Sequence, residues 1–211
     1  MLNNAFYTAL RQYIQTSVAE SKSIPVERRQ RLEGVSEYVS KRITAGKPAR
    51  LIFICTHNSR RSQMSQLWAQ AVTRYLGICG VTAFSGGTEI TSFNQRAVKA
   101  LTRAGFQIGQ STNSENPFYN ARMGVDMPPI RMFSKTYRDH SNPQRAFCAI
   151  LNCSNIDRDC PVIANAEKRI VINYDDPKHY DDTENEKTEY DARCRQISRE
   201  MCWLFTKALS F

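Results

Sequence analysis

No run of the 211 residues approaches the roughly 18 consecutive apolar positions of a membrane-spanning helix, so no membrane partner is expected. The N-terminal stretch MLNNAFYTALRQYIQ lacks the basic-then-apolar order of a secretory leader, and a cytoplasmic protein is expected. Internal repeats and low-complexity tracts are missing, which argues against a solenoid or a disordered array. Acidic residues are scarce in one segment: residues 51–114 carry six Lys and Arg against a single acid, Glu89, in a chain of net charge +9. A positive field there concentrates anions, although a solvated basic face is the plain alternative. Dense Lys/Arg tracts interleaved with aromatics are also absent, so no nucleic acid is expected as a partner.

What is present is a composition of 41% hydrophobic and 23% charged residues, enough for one substantial globular core. Seven cysteines lie scattered at 55, 79, 148, 153, 160, 194 and 202. An odd, dispersed count suits reduced or catalytic thiols better than a disulfide framework.

Two amphipathic helices are expected before Gly46 and Pro48. Leu2, Phe6, Leu10 and Tyr13 share one face; after Pro25, Leu32, Val35, Val39 and Ile43 share another. RLIFIC then reads as a buried strand, and Met64, Leu67, Trp68, Ala71, Val72 and Tyr75 trace the helix that follows. VTAFSGG is a second strand, with a helix over 94–104 stopped by Gly105. AFCAILNC and RIVINY are further strands, and the tail from about residue 184 to 209 returns to helical spacing. Strands alternating with helices predict an α/β fold: a mainly parallel four-stranded sheet with helices on both faces, plus an N-terminal helical extension. The expected division is an extension over 1–48 and a main domain over 49–211, with an inserted segment at about 114–145.

In such sheets ligands collect beyond the carboxyl ends of the strands, where Cys55 falls. The loop Thr56, His57, Asn58, Ser59, Arg60 leads into a helix whose first N–H groups lack intrahelical partners and whose dipole favours anions. That field favours a nucleophilic thiolate at Cys55. Arg61 offers a planar fork of donors to a tetrahedral oxyanion, and Ser62 a hydrogen bond to the sulfur. The bland reading is a small buried thiol at a strand end. No metal or cofactor is expected.

FICTHNSRRSQM resembles the phosphate-binding loop of the low-molecular-weight protein tyrosine phosphatase superfamily. Its RSQM ending is more similar to the thioredoxin-coupled arsenate reductases than to the phosphatases, which usually have Pro where Gln63 stands. The likeness continues through FSGGTEITSFNQRAVKALTRAGFQIGQST, CAILNCSNIDRDCP and NYDDP, over about residues 50–114 and 146–208. It implies substrate binding by Thr56, His57, Asn58, Ser59, Arg60 and Ser62, nucleophilic attack by Cys55 with Arg61, and proton donation by Asp176. Asp175 is adjacent and easily confused with it, and read alone DDP is only a loop signal. The resemblance further implies that Cys153 and Cys160 relay the oxidation outward to thioredoxin after an oxyanion, arsenate or a phosphate ester, has been attacked. Two incidental thiols, or a metal pair, are the alternatives. A water-resolved phosphatase and a non-catalytic phosphate-binding protein are the competing functions.

Some positions depart from the pattern. Arg60 replaces a frequent second loop cysteine and is expected to add a cation beside the anion. Gln66 and Asn113 stand where acids associated with a potassium site occur, and only Tyr180 follows the Asp-Pro element. The inserted segment sets Met123, Met127, Met132 and Phe133 against Arg122, Arg131, Lys135 and Arg138. This pattern predicts a cover over the anion site.

Overall fold

A computed structural model describes residues 5–153 and 162–211. The expected parallel sheet is present. Strands β1 (Ala49–Cys55), β2 (Val81–Gly87), β6 (Phe147–Leu151) and β7 (Ala166–Val171) form it in the order β2-β1-β6-β7, all parallel. β1 is central and almost wholly buried, which its uninterrupted apolar run requires once both its neighbours and both its faces are covered. Register aligns Cys55 with Gly87 and Ile54 with Leu151, so the carboxyl ends of three strands meet at one edge.

Helices α1 (Thr8–Glu20), α2 (Val26–Thr44), α3 (Arg61–Tyr75), α4 (Gln95–Arg103) and α5 (Glu186–Ala208) contribute to one core with Leu51 and Phe53 of β1. Across the sheet, Ile52 and Ile54 pack instead with Tyr137, Phe147, Leu151 and Ile163. The alternation of β1 thus sorts its side chains into two cores. α4 begins at an Asn94 cap, whose side chain accepts from the Arg96 and Ala97 amides. Phe6 is buried ahead of α1 rather than within it, and the Tyr7 amide donates to Met123 O.

The segment before β6 holds a second sheet of three short antiparallel strands, β3 (Gln107–Gln110), β4 (Tyr119–Arg122) and β5 (Ile130–Met132). Strands of three or four residues leave too little alternation to be read from sequence. Met123, Met127 and Met132 are buried in the main core, and Phe133 packs edge-on against Phe118. The expected cover over the anion site is therefore corrected. The methionines that appeared to form one side of a lid are core residues, and among the described residues the segment meets the Cys55 loop from behind.

Candidate active site

β1 ends on Cys55, 3% exposed, and α3 begins at Arg61, so five residues turn the chain between them. Every carbonyl of this turn is held from outside. Thr56 O accepts from the Glu89 amide at 2.9 Å, His57 O from Ser134 Oγ at 2.9 Å, Asn58 O from Gln63 Nε2 at 2.9 Å, and Ser59 O from the Asn94 amide at 3.0 Å. Among the described residues, no group accepts from the amides of residues 57–62. With carbonyls outward and amides free at a helix N-terminus, the loop is a concave set of donors suited to an oxyanion.

Asn58 is the hinge of the turn. It adopts a left-handed conformation, φ 45°, which Asn tolerates better than most residues. Its Oδ1 accepts from the Lys135 amide at 3.0 Å, and its Nδ2 donates to Ser62 Oγ at 2.8 Å. Ser62 Oγ lies 3.0 Å from Cys55 Sγ. Since Ser62 already accepts from Asn58, its own proton is free to point at the sulfur, the direction a thiolate needs.

Two glycines make room for this turn. A Cβ on Gly87 would sit 2.5 Å from Thr56 O and 2.8 Å from the Asn58 nitrogen, and one on Gly86 2.4 Å from Tyr137 Cα. Both approaches are far closer than packed atoms allow. Gln63, noted in the sequence only as a missing proline, spans the back of the loop by donating to Asn58 O and Phe133 O, each at 2.9 Å. Lys135, read as part of a basic side, is 5% exposed, and burial pulls its ammonium down to about 8. Lysine at a loop position carries no signal that distinguishes a buried amine from a surface one.

A cleft of about 940 Å³ opens over the loop, lined by Thr56, His57, Arg61, Cys153, Tyr174 and Asp176 among others. Arg61 is nearly buried. Its Nη1 donates to Tyr174 O at 3.0 Å and its Nη2 to Asp176 Oδ2 at 2.6 Å, while its Nε is buried and has no partner among the described residues. Asp176 also caps the 3₁₀ turn Pro177–Tyr180 by accepting from the Lys178 amide. Asp175, almost fully exposed, turns the other way to Arg193 at 3.2 Å. The two adjacent acids thus have distinct surroundings that sequence alone left ambiguous.

Cys153 is buried at the end of β6, with its sulfur 3.6 Å from Thr56 Oγ1. Cys160 lies outside the described residues. Burial pushes the thiols of Cys148, Cys194 and Cys202 up to about 12, which keeps them protonated and inert in the core. Arg60 does not add a free cation beside the loop. It donates to Tyr190 OH at 2.8 Å and to Asp181 at 3.2 Å, so an acid already balances it. Ser59 likewise faces away, donating to Ser92 O, and His57 meets Glu89 at the rim.

No family model matches the chain. An arsenate reductase of Bacillus licheniformis is 30% identical over 145 residues, 69% of this chain and 86% of the relative. One of Brevibacillus brevis is 26% identical over 150 residues, 70% of this chain and 92% of the relative. Among solved structures, a low-molecular-weight phosphotyrosine phosphatase from Vibrio cholerae superposes with a TM-score of 0.51 at 12% identity, over 77% of this chain and 95% of its own. A YwlE mutant from Bacillus subtilis gives 0.52 at 15% identity, over 77% and 99%. These likenesses carry the fold, and the 30% identical relative carries the family: the chain belongs to the low-molecular-weight protein tyrosine phosphatase superfamily, alongside its arsenate reductases.

Proposed function

We propose that the chain is an arsenate reductase with a cysteine nucleophile. The observation that carries this reading is a second thiol beside the loop: Cys153 lines the cleft with Arg61 and Asp176, the two residues that also border the Cys55 pocket, and its sulfur lies 3.6 Å from Oγ1 of Thr56, next in sequence to Cys55. In the proposed cycle the Cys55 thiolate attacks arsenate bound by the loop amides and Arg61. The expelled oxygen takes a proton from Asp176 and leaves as water. An oxyanion in the loop competes for the Arg61 guanidinium and releases the acid from its 2.6 Å contact.

Cys153, as thiolate, then attacks the sulfur of Cys55. The S–As electron pair stays on arsenic, which falls from As(V) to As(III) and departs as arsenite, leaving a Cys55–Cys153 disulfide. Attack by Cys160 on Cys153 releases Cys55 and moves the disulfide outward, where the dithiol of thioredoxin supplies two electrons by exchange. Cys160 enters on sequence resemblance alone.

The competing reading is a phosphatase, in which water resolves a cysteinyl-phosphate on the same Cys55, Arg61 and Asp176. The arrangement of the acid and arginine serves both. Cys153→Ser separates them. A reductase loses thioredoxin-coupled arsenate turnover by orders of magnitude, with any aryl phosphate hydrolysis kept within a few-fold, because the substitution removes one sulfur and leaves the loop. Cys160→Ser accumulates a Cys55–Cys153 disulfide after a single turnover, visible by non-reducing peptide mapping. Parental arsenate reduction in both variants, or none in the parent, makes the phosphatase the better reading.

A further inference from the structure

The N-terminal helices lie outside the stretch of sequence that resembles the superfamily, yet α2 runs along the strand that delivers Asp176. β7 is an edge strand of the sheet and, among the described residues, pairs only with β6. α2, which packs on the sheet, adds side-chain contacts to β7. Tyr38 OH donates to Glu167 at 2.9 Å, Arg42 donates to the same carboxylate at 3.0 Å, and Lys168 Nζ donates to Gly34 O at 3.0 Å. Those contacts hold the start of β7.

Its exit is held by Arg28. The guanidinium forms a two-pronged pair with the buried Glu200 of α5, at 2.9 and 2.7 Å, and lies 4.9 Å from the centre of the Tyr174 ring. Tyr174 is itself buried, and its carbonyl is the 3.0 Å acceptor of Arg61 Nη1. Two residues on stands Asp176, 2.6 Å from the other arm of the same guanidinium. The peptide between Tyr174 and Asp176 therefore sets where both Arg61 and the acid sit. Strand pairing is one-sided there: among the described residues β7 has a strand neighbour only in β6. A planar, doubly bonded Arg set over the ring is a stiff support of the kind that keeps such a peptide from shifting.

We infer that α2 is a clamp on the acid-bearing edge strand, and that Arg28 is a positioning residue acting through Tyr174 on Arg61 and Asp176. This rests on the Cys55 loop being the oxyanion site. Small displacements of a group that must meet a tetrahedral anion cost affinity and rate without any loss of the group itself.

The test uses the full chain and inorganic phosphate, titrated calorimetrically at a temperature where each variant is folded. Arg28→Lys keeps the charge and loses the planar fork. Because it leaves Glu200 poorly paired, the double variant Arg28→Met with Glu200→Gln is measured beside it, removing both charges together. A positioning role weakens phosphate binding by about ten-fold in both variants, with faster amide exchange over residues 172–176. A support that acts on stability alone lowers the thermal midpoint and leaves phosphate affinity at the parental value. That result overturns the inference while the loop assignment stands. If the parent itself binds no phosphate, or Cys55 is not protected from alkylation by it, the loop assignment falls and the inference with it.

Discussion

Lys135 carries a cost that follows from its place behind the loop. Its main chain holds Asn58 through the amide and Gly87 through the carbonyl, so the residue cannot move outward to hydrate its side chain. The ammonium rests 4.5 Å from the Phe133 ring centre and is shifted by burial from 10.5 to about 8, with Asp139 opposing the shift. Below about pH 8 the folded chain bears a buried charge. Between about 8 and 10.5 the unfolded chain holds a proton that the folded chain has released, so stability rises with pH across that window. The shift corresponds to about 3 kcal/mol. Lys135→Met is expected to stabilise the protein most at pH 7, with the advantage shrinking by about that amount towards pH 10.5; urea unfolding at the two pH values measures it.

At the scale of elements, the loop is shaped less by its own residues than by the strand and segment behind it. Gly87→Ala places a methyl group against Thr56 O and the Asn58 nitrogen, so the loop itself must shift to accommodate it. Phosphate affinity is expected to fall at least ten-fold, about 1.4 kcal/mol, with a smaller loss of stability. Equilibrium dialysis against phosphate, alongside a melting curve, separates the two effects. The inserted segment behaves as core rather than cover. Excising residues 122–140 removes Met123 and Met132 together with the Gln63, Asn58 and His57 contacts, and each methionine alone is worth about 2–5 kcal/mol when cut to Ala. The excised chain is expected to fail in a urea titration, not to gain speed on bulky aryl phosphates.

The whole molecule carries a net charge of +9, and the segment holding the loop has one acid against six bases. Arg60, Arg96 and Arg103 of that segment pair with Asp181, Glu186 and Asp191 from the C-terminal part, so part of the excess is neutralised by the fold. At the cleft stand Arg61, paired with Asp176, together with Lys178 and the loop dipoles. Attraction from the rest of the surface is screened beyond about 8 Å at physiological salt. Raising NaCl from 50 to 500 mM is therefore expected to slow capture of a dianion several-fold and leave the bound-state contacts intact. Stopped-flow binding of phosphate reads this as a drop in the association rate with a nearly constant dissociation rate.

The order of the main helices and of the four parallel strands, and the strand-loop-helix around Cys55, were legible because each rests on local pattern. An apolar run as short as RLIFIC, set between turn residues, suits a strand covered on both faces, and Arg61 follows at a spacing set by the turn itself. The sequence by itself determined which residues stand at the mouth of the sheet. Tertiary structure alone decided what each of them faces. Arg60 and Arg61 are neighbours in the chain, yet one is drawn to Tyr190 and Asp181 and the other to Tyr174 and Asp176, partners more than 110 positions away. Asp175 and Asp176 divide in the same way between Arg193 and Arg61. Lys135 was read as part of a basic side and the methionines of the insert as the apolar side of a cover, because composition does not report burial. The physical reason is common to all of them: periodicity records which way a side chain points from its own element, and the partner it finds there is supplied by a distant one.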